Sequence, residues 1–152
     1  MSEQIPIDTF VTSGPEETRA VAAELSKSLR PGDLIALHGD LGAGKTVFAQ
    51  GLARGLGIRA DQVVRSPTFT VFQQFDGPTP FLHGDLYRIG DPEEVEALGL
   101  LDLLDTHVVA IEWFERSCGL LGTPRVVATL EEVDDQPEHR KITLSWTQTT
   151  AG

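Results

Sequence analysis

The stretch Gly39-Asp40-Leu41-Gly42-Ala43-Gly44-Lys45-Thr46 decides how this chain folds. It fits G-x-x-x-x-G-K-[ST], a pattern that carries meaning only between a strand and a helix. Both flanks comply. Asp33 to His38 reads as a short apolar strand, and Val47 to Leu56 sets apolar residues on a helical period that stops at Gly57. Glycines let the backbone close into a nest of N–H groups aimed at one point. The following helix adds the positive end of its dipole. Lys45 is then set to reach β- and γ-phosphates, and Thr46 to offer its hydroxyl to Mg²⁺. The expected ligand is a nucleoside triphosphate, contacted by Leu41, Gly42, Ala43, Gly44, Lys45 and Thr46.

Working outward, Ile5 to Val11 reads as an N-terminal strand with Ile5, Ile7 and Phe10 inward. Ser13-Gly14-Pro15-Glu16-Glu17 opens a helix that ends before Pro31-Gly32. Downstream, Ser66-Pro67-Thr68 is a polar turn, open to reading as a plain turn or as a loop that senses the γ-phosphate. Thr68 to Phe75 alternates as a strand, and Asp76-Gly77-Pro78 turns it into a hairpin. Asp91-Pro92-Glu93-Glu94 opens a short helix that closes near Gly99. Val108-Val109-Ala110-Ile111 is a buried strand by its unbroken apolar run. Strands over Arg125 to Glu131 and Lys141 to Trp146 flank an acidic link, Glu131 to Glu138, read as a solvated hairpin connection. The expectation is one α/β domain over residues 1–152, with 147–152 frayed. Its fold is a P-loop NTPase-type three-layer sandwich with a mixed, mostly parallel central sheet.

Composition narrows the partners. The chain of 152 residues carries 12 Lys and Arg against 23 Asp and Glu, a net charge of −11. A nucleic-acid footprint needs clustered cations, so direct contact with RNA or DNA is not expected. No apolar run approaches the ~20 residues of a membrane span. Met1-Ser2-Glu3-Gln4 lacks the pattern of a secretory leader, and the single cysteine, Cys118, excludes an internal disulfide. A cytoplasmic location is expected, with Cys118 as a small buried or half-buried thiol.

A phosphate loop needs an acid at the end of a second buried strand. Glu112 follows four apolar residues and is the better metal-side carboxylate; Asp85 follows a weaker run, Phe81 to Gly84. Asp85 is then a second group at the metal or the orienter of water, and the two roles can be exchanged without violating the pattern. Lys45, Asp85 and Glu112 are the expected catalytic set, and Thr46 and Glu112 the expected metal ligands. His83 fits a structural histidine, Arg88 an ion pair or a phosphate contact, Tyr87 packing, and Trp113 either core or a cover over the nucleotide.

Several motifs in order resemble one family. They are the phosphate loop, Ser66-Pro67-Thr68-Phe69-Thr70, His83-Gly84-Asp85-Leu86-Tyr87-Arg88, Asp91-Pro92-Glu93-Glu94 with Leu98-Gly99, and Ile111-Glu112-Trp113-Phe114-Glu115. Together they resemble TsaE (formerly YjeE), the small bacterial ATPases of tRNA threonylcarbamoyladenosine synthesis. The resemblance implies weak, Mg²⁺-dependent ATP hydrolysis, needed for repeated turnover by TsaD and TsaB, which modify the adenosine beside the anticodon. It places Thr46 and Glu112 at Mg²⁺, requires Asp85 for activity, gives weight to Trp113 and puts adenine near Ser13 to Thr18. Contact with tRNA would be indirect. Gly84 departs from the family's usual aromatic, implying a more flexible loop before Asp85. Phe114 stands where Pro or a small residue is common.

Three rival readings stand beside this one: a kinase, a GTPase switch and a non-enzymatic nucleotide-gated scaffold, which would bind ATP tightly without turnover. A small-molecule or nucleotide kinase would carry an arginine-rich lid, and Arg116, Arg125 and Arg140 are scattered. A GTPase of the usual form needs an Asn-Lys-x-Asp guanine reader, and this chain has no asparagine.

Overall fold

The computed structural model describes residues 7–40, 42–59, 61–62, 64 and 71–147. Its strands are β1 Ile7–Thr12, β2 Leu34–His38, β3 Phe72–Phe75, β4 Phe81–Asp85, β5 Val108–Glu112, β6 Val126–Val133 and β7 Gln136–Trp146. Its α-helices are α1 Pro15–Ser26, α2 Lys45–Gly55 and α3 Pro92–Ala97. The strands form one sheet in the order β1-β7-β6-β2-β5-β4-β3. β6, β2, β5 and β4 are parallel neighbours. β7 and β3 run against them, and β1 runs against β7, which returns it to the common direction.

The alternation of side chains makes three layers. Ile35, Leu37, Val108 and Ala110 point to one face and pack with Ala22 and Leu25 of α1 and Phe48 and Leu52 of α2. Their neighbours Leu34, Val109 and Ile111 point to the other face, against Val95 of α3 and Leu100. A strand covered on both faces needs apolar residues at every position, which is why the run ending at Glu112 is unbroken. Each fully buried Leu, Ile or Phe contributes about 1.5–3 kcal/mol. α1 and α2 touch through glycines: a Cβ on Gly51 would lie on the Arg19 carbonyl and 2.7 Å from the Ala22 Cβ, and one on Gly55 would lie on the Ser26 hydroxyl.

Helix starts fall where expected, although the N-cap of α1 is Gly14 with no side-chain cap. Pro15 is the first residue of α1 and Glu16 and Glu17 fill its first turn. Asp91 accepts from the Glu93 N–H at 3.0 Å at the start of α3. Gly99, with φ +76°, closes that turn.

Four local expectations are corrected. Ile7 and Phe10 do not face inward: Ile7 is 62% and Phe10 39% exposed, because among the described residues β1 is the outermost strand and pairs only with β7. The acidic link is the expected hairpin, but its connection is much shorter than expected. β6 and β7 extend through it, Val133 pairs with Gln136, and the turn is Asp134-Asp135 with Asp135 at φ +64°. Aspartate tolerates that left-handed conformation better than most residues. Gly84 belongs to no loop: it sits buried within β4, and a Cβ there would come within 2.8 Å of the Ile111 Cδ1. Cys118 is exposed, at the left-handed end of a short 3₁₀ turn over Phe114–Ser117. Ile5, Leu41, Ser66-Pro67-Thr68 and residues 148–152 lie outside the described residues. Among the described residues no helix is long and apolar enough to cross a membrane.

Candidate nucleotide site

Because β2, β4 and β5 are parallel, their carboxyl ends share one edge of the sheet, where open α/β folds bind ligands. The glycine loop leaves β2 there, and Asp85 and Glu112 end β4 and β5 side by side, as paired residues of the ladder. Period-two alternation puts Glu112 on the same face as Val108 and Ala110, and Asp85 with Phe81, which is the face covered by α2. Lys45 is the first residue of α2. Three groups far apart in sequence therefore converge.

The loop has the conformation that its glycines permit. Gly42 and Gly44 sit at φ +84° and +103°. Gly39 backs onto β6, where a Cβ would lie 2.7 Å from the Leu130 carbonyl oxygen, so only glycine fits. Gly44 is the N-cap of α2, and its carbonyl accepts from the Phe48 N–H at 2.8 Å. The open donors of the first turn face the loop.

Charge in the site is balanced internally. The Lys45 ammonium lies 3.6 Å from Glu112 Oε1, and His83 Nε2 lies 2.8 Å from Glu112 Oε2. Glu112 and His83 are buried. For His83 to meet a carboxylate, Nε2 must carry the proton and donate. Its Nδ1 is buried with no partner among the described residues. Asp85 accepts from the Tyr87 N–H through Oδ1 at 2.9 Å. Burial pushes the Asp85 carboxyl above its ordinary range, and the Glu112 charge adds to that; the Tyr87 N–H, Lys45 and His83 oppose it.

Trp113, next to Glu112, takes a left-handed backbone with φ +56°. That costs roughly 1–2 kcal/mol in a residue with a side chain. Its ring is held on several sides. Tyr87 packs against it at a tilt of 56° with centroids 5.0 Å apart, Lys45 Nζ lies 5.6 Å from its centre and the Arg116 guanidinium 5.5 Å. Trp113 is thus a wall between Lys45 and the exposed Tyr87. Arg88 is exposed and in none of the ion pairs among the described residues. Arg125 stacks on Trp146, away from the loop.

Two residues gain a place that pattern reading did not give them. His83 is the buried anchor of Glu112. Arg140 of β7 donates through Nε to the Ala43 carbonyl at 3.1 Å and through Nη2 to the Gly42 carbonyl at 3.2 Å. A cavity of about 550 Å³ opens on that side, lined by Gly39, Asp40, Ala43 and Thr129 to Glu132. A smaller one of about 250 Å³ lies off the loop on Arg19, Arg54 and Arg59, which already pair with Glu16 and Asp61.

The family model for the threonylcarbamoyl adenosine biosynthesis protein TsaE matches residues 12–142. The chain belongs to the TsaE family. The TsaE match takes in the loop, both acids and Arg140, and so reaches beyond the motifs between Gly39 and Glu115. One TsaE relative, the tRNA threonylcarbamoyladenosine biosynthesis protein TsaE of Bacillus subtilis strain 168, is 40% identical over 136 residues, covering 88% of this chain and 82% of its own length. The Streptomyces coelicolor protein of the same name is 38% identical over 134 residues, covering 84% and 88%. The crystal structure of Bacillus subtilis YdiB superposes with a TM-score of 0.75 at 31% identity, covering 97% of this chain and 90% of that one. The fold of this TsaE-family chain is the expected P-loop α/β sandwich, a nucleotide-binding architecture.

Proposed function

We propose that this chain binds ATP with Mg²⁺ at the glycine loop, hydrolyses it slowly, and serves the threonylcarbamoyl modification of tRNA adenosine together with TsaD and TsaB homologues. The observation that carries the reading is the convergence of Lys45, Glu112 and Asp85 at the start of α2. The tRNA role follows from the named function of the relatives. The acidic chain would meet tRNA only through its partners, and it would work in the cytoplasm.

The residues fit a magnesium nucleotide. Among the described residues no three His, Cys, Asp or Glu side chains cluster into a cage of their own. Mg²⁺ suits such a site, since it is held by one or two protein groups with phosphate oxygens and water completing the shell. Thr46 and Glu112 would supply the protein ligands. Held there, the ion would supply positive charge that neutralises the phosphates. Lys45 would leave Glu112 for the β- and γ-phosphates, and the amides of Gly42, Gly44, Lys45 and Thr46 would cradle them, while the Ala43 N–H stays on the Asp40 carbonyl. Glu112, still held by His83, keeps one oxygen aimed at the metal side. Asp85, with Oδ1 tied to the Tyr87 N–H, offers its second oxygen to position water in line.

Slow turnover is expected of the isolated chain. Among the described residues the one guanidinium bonded to the loop, Arg140, faces loop carbonyls, and Arg116 stacks on Tyr87 and Trp113. Neither forms a kinase lid. A cation brought by a partner would accelerate hydrolysis, by ~10³–10⁵ in comparable systems. Ser13 to Thr18 remains the proposed adenine side: Thr12 pairs with Arg140 in the ladder, which brings this segment toward the loop.

The test is phosphate release from Mg²⁺-ATP by the purified chain, alone and with TsaD and TsaB homologues. We expect slow release alone, stimulation by the pair, and at least ~100-fold weaker nucleotide binding in Lys45→Ala. Wild-type affinity in Lys45→Ala would remove the reading.

A further inference from the structure

We propose that Arg140 is a positioning residue for the phosphate loop: from β7 it holds the Gly42 and Ala43 carbonyls so that the amide beyond them faces the nucleotide. The proposal rests on the nucleotide reading above.

A trans peptide unit points its C=O and its N–H in opposite directions. The Ala43 carbonyl and the Gly44 N–H belong to one unit. With that oxygen accepting from Arg140 Nε, the Gly44 N–H is turned to the concave side of the loop. Gly44 is the N-cap of α2, so this donor belongs to the helix end that attracts anions. The preceding unit is pinned at both ends. Its carbonyl, on Gly42, accepts from Arg140 Nη2, and its N–H, on Ala43, donates to the Asp40 carbonyl at 2.9 Å.

Packing holds Ala43, which is buried in the core, but it does not hold Gly42. Among the described residues nothing lies within 4 Å of where a Gly42 Cβ would stand, so no side chain braces the loop there. Glycine without a brace samples many conformations, and ordering them on binding would weaken affinity. Arg140 is itself fixed. Its Nη1 donates to the Pro137 and His139 carbonyls at 2.7 and 2.8 Å, which orients the fork before the loop meets it. Only a planar fork with several donors spans successive carbonyls in this way. The residue has no carboxylate partner in the ion pairs among the described residues, so its charge stands whole behind an anion site, in a chain of net charge −11.

The test compares the full chain with Arg140→Gln and Arg140→Lys. Readouts are titration with a fluorescent ADP, ATP turnover, the Gly44 amide shift on adding Mg²⁺-ADP, and melting of the nucleotide-free protein. We expect Arg140→Gln to weaken nucleotide affinity by about 10- to 100-fold. KM should rise more than kcat falls, since the loop holds ground state and transition state alike. The Gly44 shift should shrink, with nucleotide-free melting close to wild type. Arg140→Lys should recover part of the affinity through one carbonyl. Wild-type affinity in Arg140→Gln overturns the proposal, as does an equal loss in both variants accompanied by an equal drop in melting temperature. If Arg140→Gln does not fold, Arg140→Lys decides: intermediate affinity with native melting supports the role, and unchanged affinity overturns it. If the wild type binds no nucleotide, the functional reading fails first and this role falls with it.

Discussion

Asp85 is held in a form the fold disfavours. Burial raises its pKa, the neighbouring Glu112 adds to the shift, and the opposing contacts do not cancel it. A carboxyl with a raised folded pKa binds its proton more tightly folded than unfolded, so its charged form lowers stability at every pH above that pKa. The loss disappears as pH falls below the unfolded value of about 3.9. Asp85→Asn should therefore melt higher than the nucleotide-free wild type at pH 7, with the gap closing as pH falls toward that value, while phosphate release is lost. Calorimetry across pH checks both the gain and its closure. Lys45, Thr46, Asp85 and Glu112 could be read from sequence because each follows a recognisable strand or loop by a fixed offset. His83 was half legible: its position was clear, but its partner lies across the sheet on β5. Arg140 was not legible at all. Its contact with Ala43 spans 97 residues and exists only because β7 folds back beside β6, a consequence of sheet order that no local pattern encodes.

At the level of elements, α2 does two jobs, presenting the loop and lying closely on α1. Gly51 permits that approach. Alanine is the better helix former by about 1 kcal/mol. A Cβ at Gly51 would nevertheless meet the Arg19 carbonyl and Ala22, neither of which can swing aside. Gly51→Ala should therefore destabilise the chain, by about 1–3 kcal/mol, against the sign that propensity gives. Chemical denaturation measures it, and a gain in stability would refute the close contact. Elements with a strong local signature were readable: β5 from its unbroken apolar run, α3 from Asp91 and Pro92, the β3–β4 hairpin from Asp76-Gly77-Pro78. Errors came where neighbours decide. Apolar residues in β1 imply burial only if something covers them, and among the described residues nothing covers Ile7 or Val11. Acidic residues suggested a long connection in the hairpin before β7, yet both strands run on past the body of the sheet, where their side chains meet water on either face.

For the whole molecule, a ligand that binds only the folded state raises its stability by about 2.7 kcal/mol at a hundred times its Kd. In a chain of this size that corresponds to roughly 5–11 °C in Tm. Saturating Mg²⁺-ADP should produce such a rise in the wild type and none in Lys45→Ala, as thermal-shift measurement would record. One further consequence comes from the rim of the sheet. Ile7 and Val11 stand 62% and 61% exposed on β1, whose outer edge has no partner strand among the described residues. Unpaired backbone beside apolar side chains is a template for edge-to-edge growth between molecules. A net charge of −11 opposes that growth, because two copies repel before their edges can meet. Salt shortens the range of this repulsion to about 8 Å at physiological strength, and acid removes its source as the pH nears the isoelectric point of about 4.6. Colloidal behaviour in this protein is thus governed by its carboxylates, and dilute, mildly alkaline buffer is where it stays monodisperse longest.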